Sequence, residues 1–277
     1  MVPTNVNEYL EFALEAAAEA ATIIREGAQR PKRIEYKGDV DLVTETDRRS
    51  EAAIVRRIRK EFPDHAIVAE EGSGGAPIGA KFCWYIDPLD GTTNFAHGYP
   101  CFASSIALYE GGTPVVGVVV NPMLNETFSA VRGEGARLNG NPIQTSAVPK
   151  LGASLVATGF PTHMRHNSAN MDFYWGFTLR SHGVRRDGSA ALDLCTVACG
   201  RFEGFWEFGL NSWDTAAGSL IVSEAGGKVT ALDGSEYRLG GPTILASNGL
   251  VHDEMRELSA EILQKVAARK DSEQVTH

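Results

Sequence analysis

The chain has 277 residues, of which 43% are apolar and 22% charged, an ordinary globular composition that excludes whole-chain disorder and a collagen-like fibre. With 26 basic and 35 acidic residues the formal net charge is −9, which argues against broad, sequence-blind binding to nucleic acid, so no direct nucleic-acid partner is expected. No stretch reaches the roughly 18 uninterrupted apolar residues of a membrane span. The opening Met1-Val-Pro-Thr-Asn-Val-Asn-Glu8 has neither the basic nor the apolar region of a secretory signal.

Residues 7–28 read as a helix, with Leu10, Ala13, Ala17, Ala20 and Ile24 recurring at helical spacing. A second helix is expected from about Thr46 to Phe62, with Thr46 as its N-cap. Ala66–Ala69 and Phe82–Ile86 read as buried strands, the latter ending at Asp87-Pro88, and the Gly- and Pro-rich Gly72–Gly79 between them as a mobile loop. That loop follows Glu70 and is expected, over 72–81, to gate a site there. Ser104–Tyr109, Val115–Val120 and Glu126–Val131 form an antiparallel meander. A strand at 154–158, helices at 167–180 and 189–199, an aromatic strand at Phe202–Phe208 and a helix at Trp213–Glu224 follow. Short strands near 228–231 and 243–247 precede a closing helix at 250–268. Interleaved helices and largely antiparallel strands predict an α+β layered fold. Residues 1–270 read as a single catalytic unit of two closely packed lobes, approximately 1–150 and 151–270, with 271–277 as a frayed tail.

Cys83, Cys101, Cys195 and Cys199 show no Cys-x-x-Cys spacing and read as small buried hydrophobes, so a reducing, cytoplasmic location is expected. His97, His163, His166 and His182 read as surface or local structural groups, and no zinc spacing occurs.

Asp87-Pro-Leu-Asp-Gly-Thr-Thr93 is the most informative segment. It follows a buried strand and carries two carboxylates around a proline. Gly91 permits a sharp turn and close backbone approach, and Thr92-Thr93 open a short helix whose free N–H groups are able to hold an anion. Glu70-Glu71 end a strand, Asp214 opens a helix as its expected cap, and Asp47 lies in a first helical turn. Singly, each acid has an ordinary explanation as turn, solvated end or cap. Together they place carboxylates at several element ends, and such a cluster is tolerable around hard divalent cations such as Mg²⁺ or Mn²⁺.

Four segments carry a resemblance: Asp41-Leu-Val-Thr-Glu-Thr-Asp47, Val68-Ala-Glu-Glu-Gly72, Trp84-Tyr-Ile-Asp-Pro-Leu-Asp-Gly-Thr-Thr-Asn-Phe95 and Trp213-Asp-Thr-Ala-Ala-Gly218. On these the chain resembles the inositol monophosphatase family of Mg²⁺-dependent, lithium-sensitive phosphatases, from the Asp39–Asp47 region to Gly227. The resemblance implies a layered αβαβα sandwich of the inositol monophosphatase and fructose-1,6-bisphosphatase type. It implies that Glu70, Asp87 and the Leu89 carbonyl hold a first metal, that Asp87, Asp90 and Asp214 hold a second, and that a third, weaker ion sits by Glu70. Thr92 and Asp47, with Glu70, would orient the attacking water. Gly91 and Thr92 would offer N–H groups to phosphate, and Glu207 and Ala190 would contact the inositol, with Asp90 and Asp214 also at the substrate. It further implies a homodimer and inhibition by lithium.

The resemblance also answers a question of charge. A phosphate dianion enters a cleft of carboxylates only if bound cations reverse the local field. Metal-assisted attack by water then needs no Ser or Cys nucleophile and inverts the configuration at phosphorus. The expected substrate is a small phosphate monoester, foremost myo-inositol 1-phosphate. Glu207 favours a neutral polyol over a second phosphate, and it also suits the amine of histidinol phosphate; other sugar phosphates are handled by relatives. A different role is partner binding in a transcription antitermination complex, for which the runs Arg30–Arg33 and Arg56–Lys60 are candidate contact surfaces, or else solvated helix faces.

Overall fold

The computed structural model describes residues 6–30, 34–37, 41–75, 80–160 and 169–275. Five layers follow one another. The first is a helix pair, α1 (Val6–Ala28) and α2 (Glu45–Glu61), linked through a hairpin of β1 (Ile34–Lys37) and β2 (Asp41–Thr44). Small residues on α1 (Ala13, Ala16, Ala17, Ala20) recur at helical spacing and let its axis lie close against the sheet beneath.

That sheet has seven strands in the order β3 (Ala66–Ala69), β4 (Phe82–Asp90), β5 (Ala103–Glu110), β6 (Thr113–Asn121), β7 (Glu126–Val131), β8 (Gly135–Leu138) and β9 (Asn141–Ile143). Only the β3–β4 pairing is parallel. Trp84, Ile86, Ile106 and Val118 face α1 and α2 and form one core with them. The third layer is α5 (Ala190–Ala198) with α6 (Ser212–Glu224), shared between this sheet and a second one. The second sheet runs β11 (Gly183–Arg185), β10 (Leu155–Thr158), β12 (Gly204–Phe208), β14 (Thr243–Ser247), β13 (Lys228–Thr230). Here β10 is parallel to both neighbours and the remaining pairs are antiparallel. α4 (Asn170–Thr178) and α7 (His252–Val275) cover its outer face, where Phe173, Phe177, Met255 and Leu258 pack on Trp206 and Leu245. The architecture is thus an αβαβα sandwich.

The differences from expectation have local causes. Thr44, not Thr46, caps α2: β2 runs straight into the helix, so its last residue, still extended at φ −118° and ψ 166°, must supply the cap. Asn211 holds the N-cap position of α6, and Asp214 is the third residue of the helix, accepting the Asn211 N–H in return. β4 does not stop at Asp87-Pro88 but continues to Asp90, because a bulge absorbs the proline. α7 continues through Val275 where a frayed tail was expected.

The Arg56–Lys60 run is largely occupied within the fold. Arg56 and Arg57 pair with Glu19, Arg57 also with Glu15, and Arg59 donates to the Ser73 carbonyl. Residues 31–33 of the other basic run, residues 76–79 of the expected gate, His163 and His166 lie outside the described residues. His97 and His182 are exposed. Cys195 is buried and the other three cysteines are half-buried, all of them free.

Candidate active site

In a regular strand, residues three apart point to opposite faces. Along β4, Asp87 pairs with Ser105 and Asp90 with Ala103, so three steps on β4 match two on β5. The extra residue is a bulge at Pro88-Leu89, and it turns Asp87 and Asp90 to the same side. That side carries Tyr85, which packs with the α5–α6 layer, whereas Trp84 and Ile86 face α1 and α2. The Asp87 carboxylate accepts the Leu89 N–H at 3.0 Å, which closes the bulge.

Gly91 then takes φ +87°, and a Cβ there would lie 2.9 Å from the Cys101 carbonyl and 3.2 Å from that of Gly188. Only glycine fits this close approach of three backbone segments. The short helix α3 (Thr92–His97) begins at once. Its Asn94 amide donates at 2.7 Å to the carbonyls of Cys101 and Asp187 and so stitches the β4 turn to the loop before α5. Ser189 caps α5, and Asp90 receives its hydroxyl at 2.5 Å and the Ala191 N–H at 2.8 Å. An acid of the first sheet thus docks on a helix start in the middle layer.

Asp47 is fully buried. Its carboxylate receives the Thr44 N–H at 2.9 Å, the Thr44 hydroxyl, and the Thr92 hydroxyl at 2.9 Å. Thr92 Oγ1 also lies 2.9 Å from the Leu89 carbonyl, so one hydroxyl proton has two acceptors in reach. On β12, Phe205 faces the middle layer and Trp206 the outer one, so strand alternation turns Glu207 inward as well. Its carboxylate rests on Gly159, where a Cβ would meet Glu207 Oε1 at 2.2 Å. Asn170 holds the Gly159 carbonyl at 2.6 Å and in turn accepts the Trp206 indole N–H at 2.7 Å.

Glu70, Asp87, Leu89, Asp90, Gly91, Thr92, Ala190, Glu207 and Asp214 all line one open cavity of about 370 Å³, at the seam of the two sheets. Asp47 stands behind its wall and reaches it through Thr92. Burial raises every acid here for which a shift is resolved. Asp90 is pushed up to about 6, held down in part by Ser189 and nearby N–H groups. Asp214 is pushed up to about 7 by burial and by Asp90. Asp87 is raised well above the usual range by burial and then by Glu70, Asp90 and Asp214. Burial also raises Glu207, as do Asp214 and Asp90, against the pull of Arg186.

Among the described residues no three His, Cys, Asp or Glu side chains close into a finished cation cluster. The carboxylates share the cavity while several of their oxygens are held by the protein's own donors. In donor chemistry, carboxylates plus a backbone carbonyl at mutually repelling acids fit a hard dication such as Mg²⁺.

Sequence reasoning passed over Ser189, Asn94, Gly159 and Arg186, which also line the cavity. Ser189 before an apolar run has a helix-start signature that could have found it. Gly159 has none, because its requirement comes from a carboxylate on another strand. Asp193, on α5, is also buried, and its Oδ2 has no hydrogen-bond partner among the described residues.

Residues 5–269 match the model of the Inositol monophosphatase family. An inositol-1-monophosphatase of Synechocystis sp. is 46% identical over 260 residues, covering 93% of this chain and 91% of that protein. A Nus factor SuhB of Pseudomonas aeruginosa is 45% identical over 248 residues, covering 86% of this chain and 91% of that one. Among solved structures, an inositol monophosphatase from Anabaena (Nostoc) sp. superposes with a TM-score of 0.85 at 40% identity, over 93% of this chain and 97% of the other. With a cavity lined by acids from both sheets and this similarity over nearly its whole length, the chain belongs to the inositol monophosphatase family.

Proposed function

We propose that the protein hydrolyses a small phosphate monoester, foremost myo-inositol 1-phosphate, to the alcohol and phosphate. The observation that carries this is the convergence on one cavity of Asp87 and Asp90 from β4, Asp214 from α6 and Thr92 backed by Asp47. Glu70, Asp87 and the Leu89 carbonyl would hold one Mg²⁺, and Asp87, Asp90 and Asp214 another, with a third by Glu70 and Mn²⁺ as the alternative ion. When bound, the ions neutralise the acids, polarise the attacking water and stabilise the leaving oxygen.

The chain's own groups supply orientation. Thr92 and Glu70 hold the water, and Thr92 passes its hydroxyl proton toward Asp47 Oδ1, 2.9 Å away, as it takes one from the water. The N–H groups of Gly91 and Thr92 receive phosphate oxygens. Glu207 accepts hydrogen bonds from substrate hydroxyls, and Ala190 offers its backbone beside them. Direct attack by water inverts the configuration at phosphorus.

The residues 1–270 act as one catalytic unit in two lobes, approximately 1–150 and 151–270; the middle helices packed on both sheets support this. Met171 and Trp175, exposed on one side of α4, and Leu179 at its C-terminal end support a homodimer. Free cysteines suit the cytoplasm. Among the described residues no helix is long and apolar enough to cross a membrane.

The test is turnover on a panel of phosphate esters across a Mg²⁺ titration, with lithium as inhibitor. The expected result is Mg²⁺-dependent turnover that is highest on myo-inositol 1-phosphate and falls with lithium. A preference for histidinol phosphate overturns the substrate choice, and no Mg²⁺-dependent turnover overturns the reading. The similarity to a Nus factor favours a second role through a protein partner. Asp90→Asn separates the two: partner capture that survives loss of hydrolysis marks an independent surface, and the pairing of Arg56 and Arg57 with Glu19 speaks against that run as its centre.

A further inference from the structure

Asp47, Ser50 and Glu51 occupy one face of α2 at helical spacing, and all three are 0% exposed. Each bonds a different segment of the cavity wall. Asp47 accepts from Thr92 at 2.9 Å. Ser50 Oγ donates to the Pro88 carbonyl at 3.0 Å, inside the β4 bulge between Asp87 and Leu89. Glu51 Oε2 accepts the Glu71 N–H at 2.7 Å, and its Oε1 accepts the Ser73 N–H at 2.9 Å.

A buried carboxylate is an expensive way to fill space. Among the described residues no basic side chain pairs with Glu51, and the partners it has are two backbone N–H groups of the turn after β3. A residue chosen for packing would be apolar here, as Ile54 and Ile58 are further along α2. The turn that Glu51 grips is also fixed elsewhere. Ile67 and Gly75 exchange both backbone bonds, at 2.8 and 2.9 Å, and Arg59 donates to the Ser73 carbonyl at 2.6 Å. Glu70 is the residue at the mouth of this turn, its N–H bonded to the Ile86 carbonyl at 3.3 Å.

We propose that Ser50 and Glu51 are positioning residues for the cation-binding acids, Glu51 setting Glu70 through the Glu71–Ser73 turn and Ser50 setting Asp87 and Leu89 through Pro88. The proposal rests on the functional reading above. In it, α2 is the common frame from which three separate segments are hung at fixed spacing. Neither residue touches substrate or ion.

The test uses the full chain with Glu51→Gln and Ser50→Ala, and Ile54→Val as a packing control on the same helix. Mn²⁺ binding is read by electron paramagnetic resonance, amide exchange at Glu71 and Ser73 by mass spectrometry, and activity against Mg²⁺ concentration. Gln keeps the shape but loses one acceptor, so Glu51→Gln should weaken Mn²⁺ binding by about 10- to 100-fold and raise the half-saturating Mg²⁺ by a similar factor. Exchange at Glu71 or Ser73 should quicken, while KM for the ester at saturating Mg²⁺ stays within about threefold. Ile54→Val should lower Tm and leave Mn²⁺ affinity within about twofold. Glu51→Gln with wild-type Mn²⁺ affinity, or Ile54→Val with an equal loss, overturns the proposal. If Glu51→Gln does not fold, Ser50→Ala decides by the same Mn²⁺ criterion. A wild type that binds Mn²⁺ but hydrolyses no phosphate ester refutes the functional reading alone, and the binding and exchange data still judge Glu51. A wild type that binds no Mn²⁺ sinks both.

Discussion

The starts of α2 and α6 use one local device to different ends. Each is a reciprocal cap in which the third residue of the helix, an aspartate, accepts the N–H of the capping residue: Asp47 to Thr44, and Asp214 to Asn211. Asp47 then disappears from solvent and collects two hydroxyls besides, from Thr44 and Thr92. Asp214 remains half-buried on the cavity wall. The first aspartate has its acceptor capacity spent within the protein, and the second keeps some for a ligand. Packing around the helix, not the capping motif, assigns these roles.

Substitution by asparagine is the sharpest way to break that contrast. Asp214→Asn keeps a cap acceptor but removes a charge from the proposed ion site. Activity should fall by several kcal/mol of transition-state stabilisation, on the order of 10³-fold, with no loss of Tm in metal-free protein. A lower Tm with activity retained would invert the two roles. Asp47→Asn should do both kinds of damage. An amide would turn a donor toward the Thr44 or Thr92 donors, costing about 1–3 kcal/mol of stability by denaturant titration and on the order of 10²-fold in activity. Gly159→Ala acts on neither cap and probes the opposite wall. Its Cβ would displace Glu207, so KM should rise by about tenfold while kcat and half-saturating Mg²⁺ change little. An unchanged KM removes Glu207 from the substrate's contacts.

The smallest effect is on pH dependence without metal. Asp90 and Asp214 carry folded-state values raised to about 6 and about 7, so the folded chain holds protons that the unfolded chain has released. Stability therefore falls as pH rises wherever the folded state binds more protons. The window is roughly pH 6.5–8, above the range in which buried His252, lowered to about 4, pulls the other way. In chelator, Tm should drop across this window, and Mg²⁺ should raise Tm more at pH 8 than at pH 6.5. A flat metal-free profile would mean that burial does not keep these acids protonated in the folded chain.

The acids, Gly91 and Thr92 were legible in the sequence because they sit in short runs whose residue types already carry the chemistry. The layered fold was legible from its long periodic helices and β-rich runs. What escaped depended on partners distant in the chain. The cap of α2 was misplaced because its position depends on where β2 ends. Strands β8, β9 and β11 are too short to show alternation, and their residues read equally well as turns. The need for glycine at 159 exists only because Glu207 arrives from β12. Glu51 was not singled out, because the turn after β3 that its carboxylate holds is remote from it in the chain.

The extra residue in β4 has a bearing on how this chain can change length. Deleting Leu89 would restore an even pleat with Asp90 still on the side of Asp87, but it would remove the N–H that closes on the Asp87 carboxylate and the carbonyl that reaches Thr92, whatever the other identities. The Gly111-Gly112 turn between β5 and β6 has open space around it and can take an added residue at little cost. Spacing in the first segment is thus as restrictive as composition: changes of length should be lethal to activity there, while an added residue at the hairpin should be silent.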